Sequence, residues 1–267
     1  MITIQNYVRA QSLQEAWELN QNKRSRIIGG MLWLKMGKTA VHTAIDLGDL
    51  GLNTIEETAE AFSIGCSVTL RQLEKHEALN EYFNGALCAA VRDIVGVQFR
   101  NLATVGGSIF GRFGFSDVLT VFLAADTEVE LYRGGRVPLE EFVKMKKDRD
   151  VLVRLWVKKR PAAFRYEAMR NARTDFPILT CAVSCVEGTY RAVIGARPAR
   201  ARVLWDEKGL LNEGITTADT ARAFADYTAQ KMPVSGNHRG SAAYRTHLVR
   251  VLTERAVLEL GGDHNGN

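Results

Sequence analysis

At 267 residues the chain is long enough to bury a substantial core, and 46% apolar against 24% charged residues is the balance of a globular protein, not a disordered one. No apolar run approaches the roughly 20 residues a membrane helix needs, and Met1-Ile-Thr-Ile-Gln-Asn6 has neither region of a signal peptide, so a cytoplasmic protein with no membrane partner is expected. A net charge of +5 with scattered basic residues excludes a recognisable nucleic-acid surface, and Lys144-Met-Lys-Lys147 and Lys158-Lys-Arg160 read as solvated faces, with an acidic partner subunit as the alternative.

In chain order, Ser12-Leu-Gln-Glu15 has the spacing of a capping box and predicts a helix to about Asn20 that buries Leu13, Ala16, Trp17 and Leu19. Arg26-Ile-Ile28 follows as a short buried strand and runs into Gly29-Gly30 and a helical turn over 31–36. The N–H groups at such a helix start have no partner within the helix and point outward. Segments 44–47 and 62–65 read as strands, and Thr69 as the cap of an amphipathic stretch ending at His76. A helix over about 80–95 then leads to a second glycine pair in Asn101-Leu-Ala-Thr-Val-Gly-Gly-Ser-Ile109.

Phe115-Ser-Asp117 precedes an apolar helix over 118–125, with Ser116 or Asp117 placed to cap it. Segment 128–132, the turn Arg133-Gly-Gly-Arg136 and a strand over 151–157 complete an α+β unit, closed by a boundary at 158–161. Beyond it, long strands at 163–169, 178–186 and 190–195, a hairpin turn at Glu187-Gly-Thr189 and helices over 217–232 and 241–260 predict a sheet covered on one face by helices. The domains expected are therefore 1–158 and 161–260, followed by a flexible tail, 261–267.

Each glycine pair lacks the side chains that would keep a ligand from the backbone, and each is read as following a short β-favouring run. Each can thus turn several N–H groups toward one anion, and together they could hold a diphosphate. The other polar chemistry is sparse. Cys66, Cys88, Cys181 and Cys185 lack paired C-x-x-C spacing, although Cys181 and Cys185 share a strand face; they read as free, mostly buried thiols, with a metal or cluster role as the alternative. His42, His76, His238, His247 and His264 are not grouped with acidic residues, so no metal site is expected.

Five segments occur in an order that resembles a known family: Ile27-Ile-Gly-Gly30, Asn101-Leu-Ala-Thr-Val-Gly-Gly107, Phe115-Ser-Asp117, Met169-Arg-Asn-Ala-Arg-Thr-Asp-Phe176 and Arg239-Gly-Ser-Ala-Ala-Tyr-Arg245. The family is the FAD-binding subunit of molybdenum hydroxylases of the xanthine dehydrogenase and carbon monoxide dehydrogenase type. The resemblance implies an α+β fold, with a two-subdomain FAD-binding domain of the vanillyl-alcohol oxidase type and a smaller C-terminal domain like that of the carbon monoxide dehydrogenase flavoprotein. It further implies that FAD lies in the cleft among them, with Ile28, Gly29, Gly30, Met31 and Leu32 on one side of the diphosphate and Thr104, Gly106, Gly107 and Ser108 on the other. Asp117 matches a position whose carboxylate holds an FAD hydroxyl, its alternative being a helix cap. Asp175 and Phe176 match the loop that approaches the flavin, where Phe176 stacks on the ring or packs into the core.

Departures from the family pattern are Met31 and Leu32, which leave the first phosphate contacts to backbone alone, and Glu167, which replaces a common Lys and shifts its duty to Arg165 or Arg170. With no His at position 31, the flavin is expected to be noncovalent. The implied function is electron transfer: the chain takes electrons from an iron–sulfur subunit, beside a large subunit carrying molybdopterin, and passes them to NAD or another acceptor. No catalytic side chain is required for that. Two rivals remain, a structural subunit with a decayed flavin site and a stand-alone FAD-dependent oxidase.

Overall fold

The computed structural model describes residues 2–211 and 216–262. Its strands are β1 Thr3–Arg9, β2 Arg26–Ile28, β3 Ala40–Asp46, β4 Ile55–Glu57, β5 Ala61–Gly65, β6 Thr127–Leu131, β7 Gly135–Pro138, β8 Leu152–Lys158, β9 Ala162–Arg170, β10 Pro177–Val186, β11 Thr189–Gly195 and β12 Arg202–Trp205. Its α-helices are α1 Leu13–Asn20, α2 Leu70–Lys75, α3 Glu77–Tyr82, α4 Ala86–Val91, α5 Val97–Arg100, α6 Val105–Gly111, α7 Asp117–Leu123, α8 Leu139–Lys144, α9 Ala218–Lys231 and α10 Ala242–Gly262. The described residues form two compact units: those within 1–72, 97–111 and 127–158 make the first, and those within 73–96, 112–126 and 159–262 the second.

The first unit holds two sheets. β1, β3 and β2 pair in parallel in that order, and β4-β5-β8-β6-β7 form an antiparallel sheet. Ser12 caps α1 as expected, accepting from Glu15 N–H at 3.1 Å, but Glu15 reaches past the cap to Gln11 N–H at 2.7 Å. Ala16 is buried, whereas Leu13, Trp17 and Leu19 are half-buried, and so is β2. Thr69 and Gln72 form a reciprocal cap at the start of α2, with Gln72 N–H on Thr69 Oγ1 at 3.2 Å and Thr69 N–H on Gln72 Oε1 at 2.9 Å.

The second unit is built on the sheet β12-β11-β10-β9. One face packs on α9 and α10, through Leu179, Cys181 and Val183 against Phe224, Val249 and Leu252. The other face is covered too, which corrects the one-sided sheet expected. Thr180 bonds Thr120 of α7 at 2.9 Å, and Ser184 donates to Ala124 O at 2.6 Å. These hydroxyls alternate with apolar residues as a solvent-facing row would, yet both are fully buried because a helix supplies their partners. Phe83, Phe122 and Phe164 fill the space below α4 and α7, with ring centroids 4.8 to 5.8 Å apart.

The single helix expected over 80–95 is two, α3 and α4, broken where Asn84 and Gly85 both take left-handed backbone, φ 50° and 77°. Residues 261 and 262 close α10; the rest of the expected tail, 263–267, with His264, lies outside the described residues. Among the described residues, no helix is long and apolar enough to cross a membrane.

Candidate functional site

Within the first unit the two glycine-bearing bends lie against each other. A Cβ on Gly30 would overlap the Leu102 carbonyl, one on Gly29 would stand 2.6 Å from Thr104 Oγ1, and one on Gly106 would stand 2.8 Å from Cys66 O. None of the three has left-handed backbone; Gly30 and Gly106 are small because backbone carbonyls sit against them, and Gly29 because the Thr104 hydroxyl does. Gly107 differs. A Cβ there would meet Thr104 Oγ1 at 3.2 Å and nothing else within 4 Å, and the residue is exposed. Replacing Gly30 with Ala is expected to force the bends apart at a cost of about 1–3 kcal/mol, the range for overpacking. Urea denaturation of the two proteins measures this, and equal midpoints would refute the close contact.

Hydrogen bonding gives the bends different roles. Gly106 N–H donates to Cys66 O at 2.8 Å, Gly107 N–H to Thr104 Oγ1 at 3.1 Å and Ser108 N–H to Thr104 O at 3.1 Å. Ser108 Oγ donates to Thr104 O as well, at 3.1 Å. No strand precedes this pair beyond an isolated bridge between Thr69 and Thr104; Gly106 and Gly107 lie in the first turn of α6, capped by Thr104. The expectation that both pairs present several free N–H groups is therefore corrected for the second.

At the first bend the donors are open. Among the described residues, no oxygen accepts from the N–H groups of Gly29, Gly30, Met31 or Leu32. Ile28, in register with Asp46, ends β2 just before them, and a tight 3-10 turn, Leu34–Met36, follows. Between the two, Met31 takes φ 57°, a left-handed conformation uncommon for a side-chain-bearing residue and of the kind found in anion-binding turns.

In the second unit the cap of α7 is Ser116, whose Oγ accepts from Leu119 N–H at 3.1 Å. That frees the carboxylate of Asp117, a residue 5% exposed as a whole, for other partners: its Oδ1 accepts from the Tyr166 hydroxyl and from the Arg170 guanidinium. Burial pushes the Asp117 carboxyl above the usual carboxylate range, against the opposing pull of Arg170 and Tyr166, and burial likewise pushes the Tyr166 hydroxyl well up. Tyr166 and Arg170 also border a groove of about 360 Å³ lined by Arg92, Asp93, Glu167 and Arg173. Glu167 is half-buried there, its carboxyl pushed up by burial and by Glu259. Of the two arginines to which the duty of the family's Lys at this position was expected to shift, Arg165 faces Glu259 at 3.6 Å and Arg170 pairs with Asp117.

The loop after β9 is tied from three directions. Arg170 Nη1 donates to Asp175 O at 2.7 Å, Phe176 N–H donates to Asp175 Oδ1 at 2.7 Å, and Arg239 Nη1 meets Asp175 Oδ2 at 2.7 Å. The Phe176 N–H, followed by Arg239, holds the Asp175 carboxyl below the usual range. Phe176 is half-buried, its ring at 72° to that of Phe115 with centroids 4.8 Å apart. Sequence reasoning did not assign roles to Tyr166 or Arg239. The available signal was that Asp117 and Asp175, set among aromatic residues, each need a donor or cation close by.

With this geometry in place, comparison decides the family. Residues 2–155 match the family described as FAD binding domain in molybdopterin dehydrogenase, more than half of the chain. The chain belongs to that family. Residues 164–260 of this flavoprotein subunit match a second family, the CO dehydrogenase flavoprotein C-terminal domain. The subunit is 27% identical over 289 residues to the xanthine dehydrogenase FAD-binding subunit of Escherichia coli O157:H7, covering 97% of each chain. It is 24% identical over 276 residues to the nicotine 6-hydroxylase medium subunit of Paenarthrobacter nicotinovorans, covering 96% of each. The fold is similar to that of a chain in the crystal structure of quinoline 2-oxidoreductase from Pseudomonas putida 86, with a TM-score of 0.85, 18% identity and 97% coverage of both. The α+β fold is thus that of an FAD-binding domain followed by a CO dehydrogenase flavoprotein C-terminal domain.

Proposed function

We propose that the N–H arc from Gly29 to Leu32, with Ile28 before it, receives the FAD diphosphate, and that Thr104, Gly106, Gly107 and Ser108 line its other side. The observation that carries this is the run of open donors set against a bend whose own N–H groups are fixed internally. Such an arc binds an anion without a charged side chain, which suits Met31 and Leu32. On the second side the contact comes from the Thr104 hydroxyl, which accepts from Gly107 N–H and keeps its own proton to donate, from the Ser108 hydroxyl once it turns from Thr104 O, and from the bare surface at Gly107, not from a second set of amides. Both named partners of Asp117 fall on Oδ1, and Oδ2 is the atom assigned to an FAD hydroxyl. Asp175 and Phe176 are assigned to the flavin ring.

FAD, when bound, supplies the exchange between one- and two-electron transfer; the side chains bind and orient it. In this reading the subunit draws electrons from an iron–sulfur partner, works beside a large molybdopterin subunit, and delivers them to NAD or another acceptor. Cys66 and Cys181 are buried, and burial pushes their thiols up to about 11 and about 12.

The purified chain is expected to carry flavin absorbance bands, or to gain them when supplied with FAD. A chain that takes up none would favour the structural subunit with a decayed site. Turnover of a small substrate by the isolated chain would favour the stand-alone oxidase.

A further inference from the structure

Arg239 occupies a built position. The turn that carries it is closed by Asn237 N–H on Gly240 O at 3.0 Å and Gly240 N–H on Asn237 O at 3.2 Å, and Arg239 N–H bonds Asn237 Oδ1 at 2.9 Å. Beneath the turn lies Arg245 of α10, 1% exposed. Its guanidinium donates to Ile178 O at 2.9 Å, to Ser235 O at 2.9 Å, to Asn237 Oδ1 at 2.7 Å and to Gly240 O. One buried guanidinium therefore pins both the turn before α10 and the start of β10, two residues after Phe176. What this brace presents is the Arg239 side chain, which meets Asp175 Oδ2 at 2.7 Å and lies over the Phe176 ring, 5.1 Å from its centroid.

We infer that Arg239 is a positioning residue: held by the Arg245-braced turn, it grips Asp175 and the Phe176 ring together and so fixes the ring that the flavin meets. The inference rests on the assignment of Phe176 to the flavin ring made above. A planar guanidinium can bond a carboxylate through its edge while its flat face covers an aromatic ring; a compact ammonium has no such face to stack. With Arg239 in place, rotation of Phe176 is limited by the guanidinium on its face and Phe115 at its edge.

The test uses a reporter of ring position. A tyrosine stacked on a flavin quenches its fluorescence strongly, so FAD bound to the full chain carrying Phe176→Tyr should lose emission relative to FAD bound to the parent. Adding Arg239→Gln to that variant should restore much of the emission, and Arg239→Lys should restore less. In the parent background, Arg239→Gln should weaken FAD binding roughly two- to tenfold, the size of one aromatic contact. Unchanged emission on adding Arg239→Gln, with FAD still bound, would overturn the role of Arg239 while leaving the flavoprotein reading intact. A Phe176→Tyr chain that binds FAD without quenching would overturn the placement of Phe176. Failure of the parent itself to bind FAD would overturn both readings together, and Arg239→Lys serves as the test if Arg239→Gln does not fold.

Discussion

Asp117→Ala is expected to lower the stability of the chain by about 3–5 kcal/mol, the cost of removing one member of a buried ion pair. Arg170 and Asp117 have side chains 9% and 6% exposed, and the Tyr166 hydroxyl shares the same carboxylate oxygen. Deleting the carboxylate leaves a guanidinium and a phenol facing a cavity they cannot hydrogen-bond. Because Arg170 also holds the Asp175 carbonyl, the loss should loosen the loop that presents Phe176. Asp117→Asn keeps the volume and one acceptor, so a smaller loss is expected. Pairing Asp117→Leu with Arg170→Met should recover part of the stability, since a buried pair replaced whole costs less than a pair broken in half. Urea denaturation of the set is the measurement. A loss under about 1 kcal/mol for Asp117→Ala, the value of an exposed pair, would show that solvent screens the site.

Most of the sheet framework is readable because its apolar residues keep a period of two: β5, β8, β9, β10 and β11 fall where alternation or unbroken apolar runs place them, and β3 does so only in its last three residues. β1 is missed for a physical reason. Its residues are exposed or half-buried on both faces, so it has no apolar side to detect, and it is held by parallel pairing to β3. β4 and β12 are too short to show a period, and α8 hides in a charged stretch between strands. The break between α3 and α4 is written in Asn84-Gly85, a turn dipeptide outweighed in the periodicity by Leu79, Phe83, Ala86 and Leu87. At the candidate site, spacing alone leaves Asp117 as cap or ligand. The choice depends on Ser116 taking the cap, and then on Tyr166 and Arg170, 49 and 53 residues away in the chain. Likewise nothing local to Gly106 reveals that its amide is already bound, because its acceptor is Cys66 O, 40 residues earlier.

Gly107→Val is expected to fold like the parent and to retain no FAD. The position lies in the first turn of α6, exposed, with Thr104 Oγ1 at 3.2 Å from a built Cβ as its tightest neighbour. That oxygen belongs to a side chain that can shift by a few tenths of an ångström, and valine is no worse than glycine in a helix, so little stability is at stake. The two added methyls instead project into the open side of the bend, where the proposed diphosphate path runs, and branching at Cβ prevents them from rotating away. Gly107→Ala should give an intermediate result: a slightly more stable chain, by up to about 1 kcal/mol, with weakened FAD binding. The contrast with Gly30→Ala separates packing from binding, because there the obstacle is the Leu102 carbonyl and not a ligand. Flavin absorbance after desalting, read beside far-ultraviolet circular dichroism, measures both properties on one sample. Full flavin occupancy in a folded Gly107→Val chain would remove Gly107 from the binding surface and return the second bend to a purely structural role.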